Sequence, residues 1–422
     1  MMWREPLVLA SLLLAAGCGA APPPPPPLPE APAGTAATAP TAAPRPTTSA
    51  AAKAAPDGAP PTAQPTHGIP IPPRLTEPLA PLTRTFTTVT LPGVKESIAA
   101  VEGRGLNDVW FLTDEQINGY QIGSTTGGEV LQYDGKRVKS HGHACTYSTF
   151  RGLSVSRDAV VVVGTRPWSR GVHPAFRASL VKDRTWNCEE DRGGHSLGIT
   201  TSSGEQVWEL SCDHMGCRLE ASGGPSAPLP SEHPSLATKK KDSPWTNPVQ
   251  ALWMRGPGDG WMVRTGVDQH PWLFRYNGVD WTPLARLGQG WKIEDMWGDE
   301  TDVWMVLHFD DDAKAPARDL VRWNGRALSL QAVPDGFEIR SMHAAHGRDV
   351  WFYGVGRTLY QWDGTQLRQG DAPFEVVDLW AGPGGELWLV GPTVDSGGPP
   401  VGVVARALPL PAAAAPAGKV TP

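Results

Sequence analysis

Asp302-Val303-Trp304-Met305-Val306-Leu307, followed at Trp323-Asn324-Gly325 by an aromatic and a turn pair, is the stretch that decides the fold. An acidic residue, an apolar residue and a tryptophan open an apolar run of strand length. The Asn-Gly pair favours the positive φ angles of a tight hairpin, with strand-like residues on both sides. The same opening recurs at Asp108-Val109-Trp110, Gln206-Val207-Trp208, Asp259-Gly260-Trp261, Asp349-Val350-Trp351 and Glu386-Leu387-Trp388, with a degenerate copy at Asp158-Ala159-Val160. The seven copies stand 50, 48, 53, 43, 47 and 37 residues apart. The turn element recurs at Tyr133-Asp134-Gly135, Tyr276-Asn277-Gly278 and Trp362-Asp363-Gly364. Upstream of each tryptophan lies a further apolar run ending in a turn, as in Ile293-Glu294-Asp295-Met296-Trp297-Gly298.

Each unit therefore reads as four short antiparallel strands in about 40–50 residues, the pattern of a propeller blade. The sequence predicts an all-β, seven-bladed β-propeller over residues 83–409. The last unit supplies three strands. Thr87-Thr88-Val89-Thr90-Leu91 is expected to add the fourth from the N-terminal end, leaving no open sheet edge. The repeats resemble those of bacterial secreted β-propellers with Asp-Val-Trp and Asp-Gly units, a group near the WD40, YVTN and BNR-like families. That resemblance covers about three quarters of the chain and implies architecture alone, since propellers serve both as binding platforms and as enzyme scaffolds.

Outside the repeat the composition changes. The chain has 422 residues, with 44 prolines, 47 glycines and 18 tryptophans, and every tryptophan except Trp3 lies between Trp110 and Trp388. Residues 19–82 are rich in Pro, Ala and Thr, with six consecutive prolines at Pro22–Pro27. Such a segment buries too little apolar surface to offset the entropy of ordering, so a disordered tether is expected, extending up to roughly 200 Å as polyproline II. Residues 410–422 read as a similar Pro/Ala tail.

Residues 1–18 read as a secretory signal: Arg4, an apolar run from Leu7 to Ala16, then small residues. The run is too short to span a bilayer. Leu13-Leu14-Ala15-Ala16-Gly17-Cys18 resembles the bacterial lipobox, which implies lipidation at Cys18. The expected partner is thus a membrane, reached by an acyl anchor. The expected location is the cell envelope, the outer membrane before the inner, facing the periplasm or the exterior. A net charge of −6 argues against binding nucleic acid by phosphate neutralisation.

Long loops on one face of the ring are the expected binding surface. His141, His143, His173, His214, His270, His308, Asp310, Asp311 and Asp312 map there as ligand-face candidates. Cys145, Cys188, Cys212 and Cys217 suggest two disulfides in an oxidising compartment, Cys212–Cys217 across a hairpin and Cys145–Cys188 between blades. A zinc site drawing on these cysteines with His143 and His214 is the rival, although the spacing matches no standard module. Gly194-His195-Ser196-Leu197-Gly198 fits the nucleophile-elbow expression but opens a strand, with no helix after it. No coherent catalytic set, metal or cofactor motif stands out. The expectation is a non-catalytic binding or scaffold module for a protein or glycan partner. The alternative is a propeller enzyme, a lyase or hydrolase, with its site at the loop face near the axis.

Overall fold

The computed structural model describes residues 72–408 except 92–93, 95–96, 115–127, 146–148, 166–174, 181–184, 191–198, 203–205, 214–215, 222–225, 228, 230–248, 267–269, 301, 310–317 and 394–400. The chain divides into two units, Met1–Gly58 and Ala59–Pro422, and every described residue belongs to the second. The signal segment with Cys18, the tether up to residue 71, His173, His214, Asp310, Asp311, Asp312, the Gly194–Gly198 run and the tail from residue 409 lie outside the described residues.

Two short strands come first, β1 (Ala80–Pro81) and β2 (Thr87–Val89). The first sheet holds β3 (Ser97–Gly105), β4 (Asp108–Asp114), β5 (Glu129–Tyr133) and β6 (Val138–His143). The second holds β7 (Thr149–Val155), β8 (Val160–Thr165), β9 (Ala175–Leu180) and β10 (Trp186–Glu190). The third holds β11 (Ile199–Ser202), β12 (Val207–Asp213), β13 (Gly216–Ala221) and β14 (Ser226–Ala227). The fourth holds β15 (Val249–Gly256), β16 (Asp259–Thr265), β17 (Pro271–Tyr276) and β18 (Trp281–Arg286). The fifth holds β19 (Trp291–Gly298), β20 (Val303–Phe309), β21 (Arg318–Trp323) and β22 (Leu328–Leu330). The sixth holds β23 (Ile339–His346), β24 (Asp349–Gly354), β25 (Thr358–Trp362) and β26 (Leu367–Asp371), with β1 parallel to β26 at its edge.

These six sheets are each built on four strands consecutive in the chain. The remaining sheet is composite: β27 (Asp378–Ala381), β28 (Leu387–Thr393) and β29 (Val401–Ala407) are joined by β2, antiparallel to β29 with Thr88 opposite Ala405. Each sheet's first strand packs beside the first strand of the next, and β27 packs back against β3. The molecule is a β-propeller, and these first strands form its inner edge.

The repeat residues explain the packing. Trp208, Trp261, Trp304, Trp351 and Trp388 are almost completely buried between adjacent sheets. Trp304, for example, meets Phe352 of the next sheet at 5.8 Å. The acidic residue two places earlier is a latch. Asp302 accepts from Arg322 Nε at 2.8 Å, and that guanidinium lies 5.3 Å over the Trp304 ring. Asp259 with Arg275 and Trp261 repeats the arrangement. Asp349 instead accepts from Gln361 at 2.7 Å and from Arg84, which covers Trp351 at 5.0 Å. The Asx-Gly turns have the expected backbone, with φ of +92° at Gly135 and Gly278, +83° at Gly325 and +91° at Gly364. The side chains of Asp134, Asn277, Asn324 and Asp363 each accept the N–H groups two and three residues further on in the same turn.

Two expectations move. In the second sheet Val161, not Val160, holds the tryptophan position: it faces Ser154, as Trp304 faces Trp297, and packs toward Val207 of the third sheet. Without the tryptophan the degenerate copy shifts by one residue, which in a strand changes the face. Residues 72–82, placed by composition in the tether, lie along the ring. Leu75 bridges to Pro334, Arg74 is paired with the buried Asp319, and the Leu82 N–H donates to Gln369 at 3.1 Å. Their backbone groups find edge-strand partners that composition does not reveal.

Candidate functional site

The expected loop-face residues that the structure describes do not converge. His141 sits on β6, the outermost strand of the first sheet, with its ring 4.6 Å from Trp110 and Nε2 3.0 Å from Gln132 Oε1. His143 is exposed at the end of the same strand. His270 precedes β17, with Nδ1 3.3 Å from the Leu287 carbonyl. His308 lies on β20, paired with Glu294 at 2.9 Å. They belong to the first, fourth and fifth sheets, and among the described residues no three His, Cys, Asp or Glu side chains form a metal-binding group.

Cys145 and Cys188 form a disulfide between the end of the first sheet and β10 of the second, with Cα atoms 6.4 Å apart. This removes Cys145 and Cys188 from the thiolates a zinc site would need. Cys212 and Cys217 stand directly opposite each other across β12 and β13.

The side chains that do come together lie on the inner strands. On each, one residue faces the tryptophan position of the second strand: Glu102, Ser154, Thr201, Trp253, Trp297, His343 and Trp380. Trp253 meets Trp297 at 6.1 Å and His343 at 6.2 Å, and His343 meets Trp380 at 6.5 Å. Trp253 and His343 belong to sheets that are not neighbours, so they meet on the axis side of the intervening fifth sheet. Trp297 and Trp380 are buried behind them, whereas Trp253 and His343 are only half-buried.

Two residues earlier on these strands, Asp295 and Asp378 stitch one sheet to the next. Asp295 accepts the Met342 N–H at 2.9 Å and the Ser341 hydroxyl at 2.5 Å. Asp378 accepts the Val101 N–H at 2.9 Å, while its other oxygen takes the Leu379 N–H. Bulges at Ile293/Asp295 and Ile98/Ala100 put backbone groups out of ladder register at these seams. His343 makes the corresponding stitch through Nδ1, which accepts the Ala381 N–H at 3.2 Å. A ring nitrogen that accepts carries no proton, so the imidazole is neutral with its proton on Nε2.

Burial dominates the electrostatics. It lowers the His343 pKa to about 4 and raises Asp378 to about 7, the latter helped by the Asp295 charge. Glu102 is raised well above its ordinary value, first by burial and then by the Asp378 charge, against a hydrogen bond with Trp380. Asp295 is raised by burial. Tyr353, whose hydroxyl donates to the Val377 carbonyl, is pushed up by burial and by Asp378 and Asp295. The result is a half-buried surface of aromatic rings, a neutral imidazole and carboxyl groups that resist ionisation.

The histidine and aspartate content of the loops drew attention away from this surface. A signal was present in the upstream runs. Ala251-Leu252-Trp253, Asp295-Met296-Trp297 and Asp378-Leu379-Trp380 share a frame with Ser341-Met342-His343 and Ala100-Val101-Glu102, where histidine and glutamate replace the tryptophan.

No protein-family model matches the chain, and no curated protein sequence does. Solved structures do. A catalytically inactive virginiamycin B lyase from Staphylococcus aureus, solved with quinupristin, has a TM-score of 0.50 and 12% identity over 77% of this chain and 99% of its own. The WD40 repeats of RRP9 give 0.46 and 13% over 79% and 100%, and a glucose dehydrogenase 0.40 and 10% over 76% and 99%. At such identities the likeness concerns the fold alone.

Proposed function

We propose that this chain is an envelope-anchored, seven-bladed β-propeller that binds a glycan-like ligand, without chemistry, at the axis-side edge of its inner strands. The observation that carries this reading is the contact set Trp253–His343–Trp380 with Glu102 and Asp378 alongside. Flat aromatic faces complement the C–H faces of sugar rings, and the carboxyl and imidazole groups complement hydroxyls. Counting the composite sheet with β2 as a blade makes seven, and packing of β27 on β3 supports a closed ring. The lipobox-like run ending at Cys18 and the proline-rich segment after it support an anchor and a stalk. Labelled-lipid incorporation lost in Cys18→Ser tests that part, and unchanged incorporation refutes it.

Binding itself is tested by calorimetric titration of the chain against neutral and charged oligosaccharides, wild type beside Trp253→Ala. The reading requires a ligand whose affinity falls about tenfold or more in the variant. Ligands bound equally by both proteins would place the site elsewhere. A second reading, catalysis on the same ligand, draws on Asp378, a carboxyl near the pKa of a general acid. Turnover that disappears in Asp378→Asn while binding persists would select it, and binding without turnover would reject it.

A further inference from the structure

At the loop end of the fifth sheet a carboxylate places the proton of a histidine. His308 Nδ1 lies 2.9 Å from Glu294 Oε1. A carboxylate only accepts, so Nδ1 carries the ring proton and Nε2 of the neutral imidazole keeps a bare lone pair. Nε2 has no hydrogen-bond partner among the described residues, and the side chain is 21% exposed, which admits water. His343 is set the other way: its Nδ1 accepts the Ala381 N–H, so its proton sits on Nε2.

A bulge makes the pair possible. Glu294 is the extra residue between Ile293 and Asp295, where the ladder from β19 to β20 shifts register and frees its side chain from the strand's alternation. The first strands of the first, second, fourth and sixth sheets carry a bulge at the same place. In the fourth sheet the extra residue is Gln250, which accepts the Ile293 N–H at 2.8 Å and donates to Thr265 at 2.9 Å, joining two sheets. Glu294 instead meets a titratable ring. A cation stands beside them: Lys292 is exposed and directly opposite His308 across β19 and β20. Residues so opposed share a face, with Cβ atoms about 4.5–5.5 Å apart. The ammonium group is thus within reach of negative charge that develops beside His308. A base, a group that orients it and a cation suit general-base hydrolysis. Glycosidic cleavage calls for two carboxyl groups flanking the bond, whereas Glu294 is engaged with the imidazole. An ester needs only an activated water, a place for the oxyanion and a proton for the departing alkoxide.

We propose that His308, Glu294 and Lys292 form a hydrolytic site for carboxylic esters. A proton of water passes to His308 Nε2 as the water oxygen bonds to the carbonyl carbon. The C=O electron pair moves onto the carbonyl oxygen, beside Lys292. The intermediate then breaks its bond to the alkoxide, which takes the proton back from Nε2. Ester and water give carboxylic acid and alcohol, with no other reactant. Glu294 is a positioning residue: it holds the tautomer and balances the imidazolium charge between the two steps. His308 lies four residues beyond Trp304 on β20, about 13 Å along the strand, and Trp304 is the residue that faces Trp297. The ester site and the axis-side surface therefore stand or fall separately.

The test follows nitrophenolate released from p-nitrophenyl acetate by the full chain. Hydrolysis is expected to run about tenfold or more above that of free imidazole at equal concentration, and to fall about tenfold or more in His308→Ala and in His308→Gln. Unchanged melting temperatures show that the variants fold. The ring nitrogen resonances of His308 are expected to report the Nδ1–H tautomer in the wild type and a mixture in Glu294→Ala, with hydrolysis falling alongside. Hydrolysis no faster than imidazole, or undiminished in both His308 variants, would overturn the site and leave a surface ion pair. A Glu294→Ala protein that loses hydrolysis with its tautomer unchanged, or keeps hydrolysis with its tautomer mixed, would overturn the positioning role.

Discussion

Asp378 shows how one residue ties electrostatics to the seam between sheets. It accepts the Val101 N–H at 2.9 Å, and burial pushes its pKa up to about 7. An aspartate in the unfolded chain titrates near 3.9. Between those values the folded protein keeps a proton that the unfolded chain has lost, so the contribution of Asp378 falls as pH rises from about 4 to about 7. His343 runs the other way. Its folded pKa of about 4 lies below the ordinary 6.5, so its contribution is lost as pH falls through that interval. The two overlap in the wild type, and a difference curve separates them. The stability gap between wild type and Asp378→Asn, from urea unfolding at stepped pH, is expected to shrink from pH ~5 to ~8. A gap that stays flat or widens contradicts the assignment. Glycine offers a simpler contrast: Gly364, at φ +91°, is expected to lose about 1 kcal/mol as alanine, whereas Gly105, with open space at its Cβ and no positive φ, is expected to lose little.

The latch between the second and third strands is the working unit of the fourth and fifth sheets. Trp304 is fully buried and covered by Arg322, which Asp302 holds in place. Trp304→Ala is expected to destabilise by about 3–5 kcal/mol, and Asp302→Ala by about 1–2 kcal/mol, in chemical denaturation. Near-equal losses would mean that the aspartate does more than orient the arginine. The elements were legible because a tryptophan recurs at the same position of the second strand in every sheet but the second, and an Asx-Gly turn recurs in the first, fourth, fifth and sixth. Legibility failed where the chemistry lapsed. The second sheet has valine in place of the tryptophan, and its frame slipped by one residue. The binding surface was less legible still: histidines such as His141 and His308 attract notice in sequence, yet each is engaged with a local partner. Glu102 and Asp378 become conspicuous only when seven inner strands are brought into one frame.

At the scale of the molecule, the N-terminal segment and one disulfide act as fasteners. Residues 72–89 run along the fifth and sixth sheets before β2 completes the composite sheet. On the way Arg84 donates to Asp349 at 2.7 Å, with both side chains at most 10% exposed. Arg84→Ala leaves Asp349 without its cation, and the expected cost is about 3 kcal/mol or more. Cys145–Cys188 closes a loop of 43 residues, so replacing both cysteines by serine is expected to lower stability by about 4 kcal/mol on chain entropy alone.

The functional account depends on Trp253 and His343 meeting past the sheet between them. Nuclear magnetic resonance titration of the His343 imidazole, in wild type and Trp253→Ala, tests it most directly. The account predicts a ring that stays neutral down to pH about 4 and whose resonances move when the Trp253 ring current is removed. A His343 that titrates near 6.5, with resonances indifferent to Trp253→Ala, would contradict it.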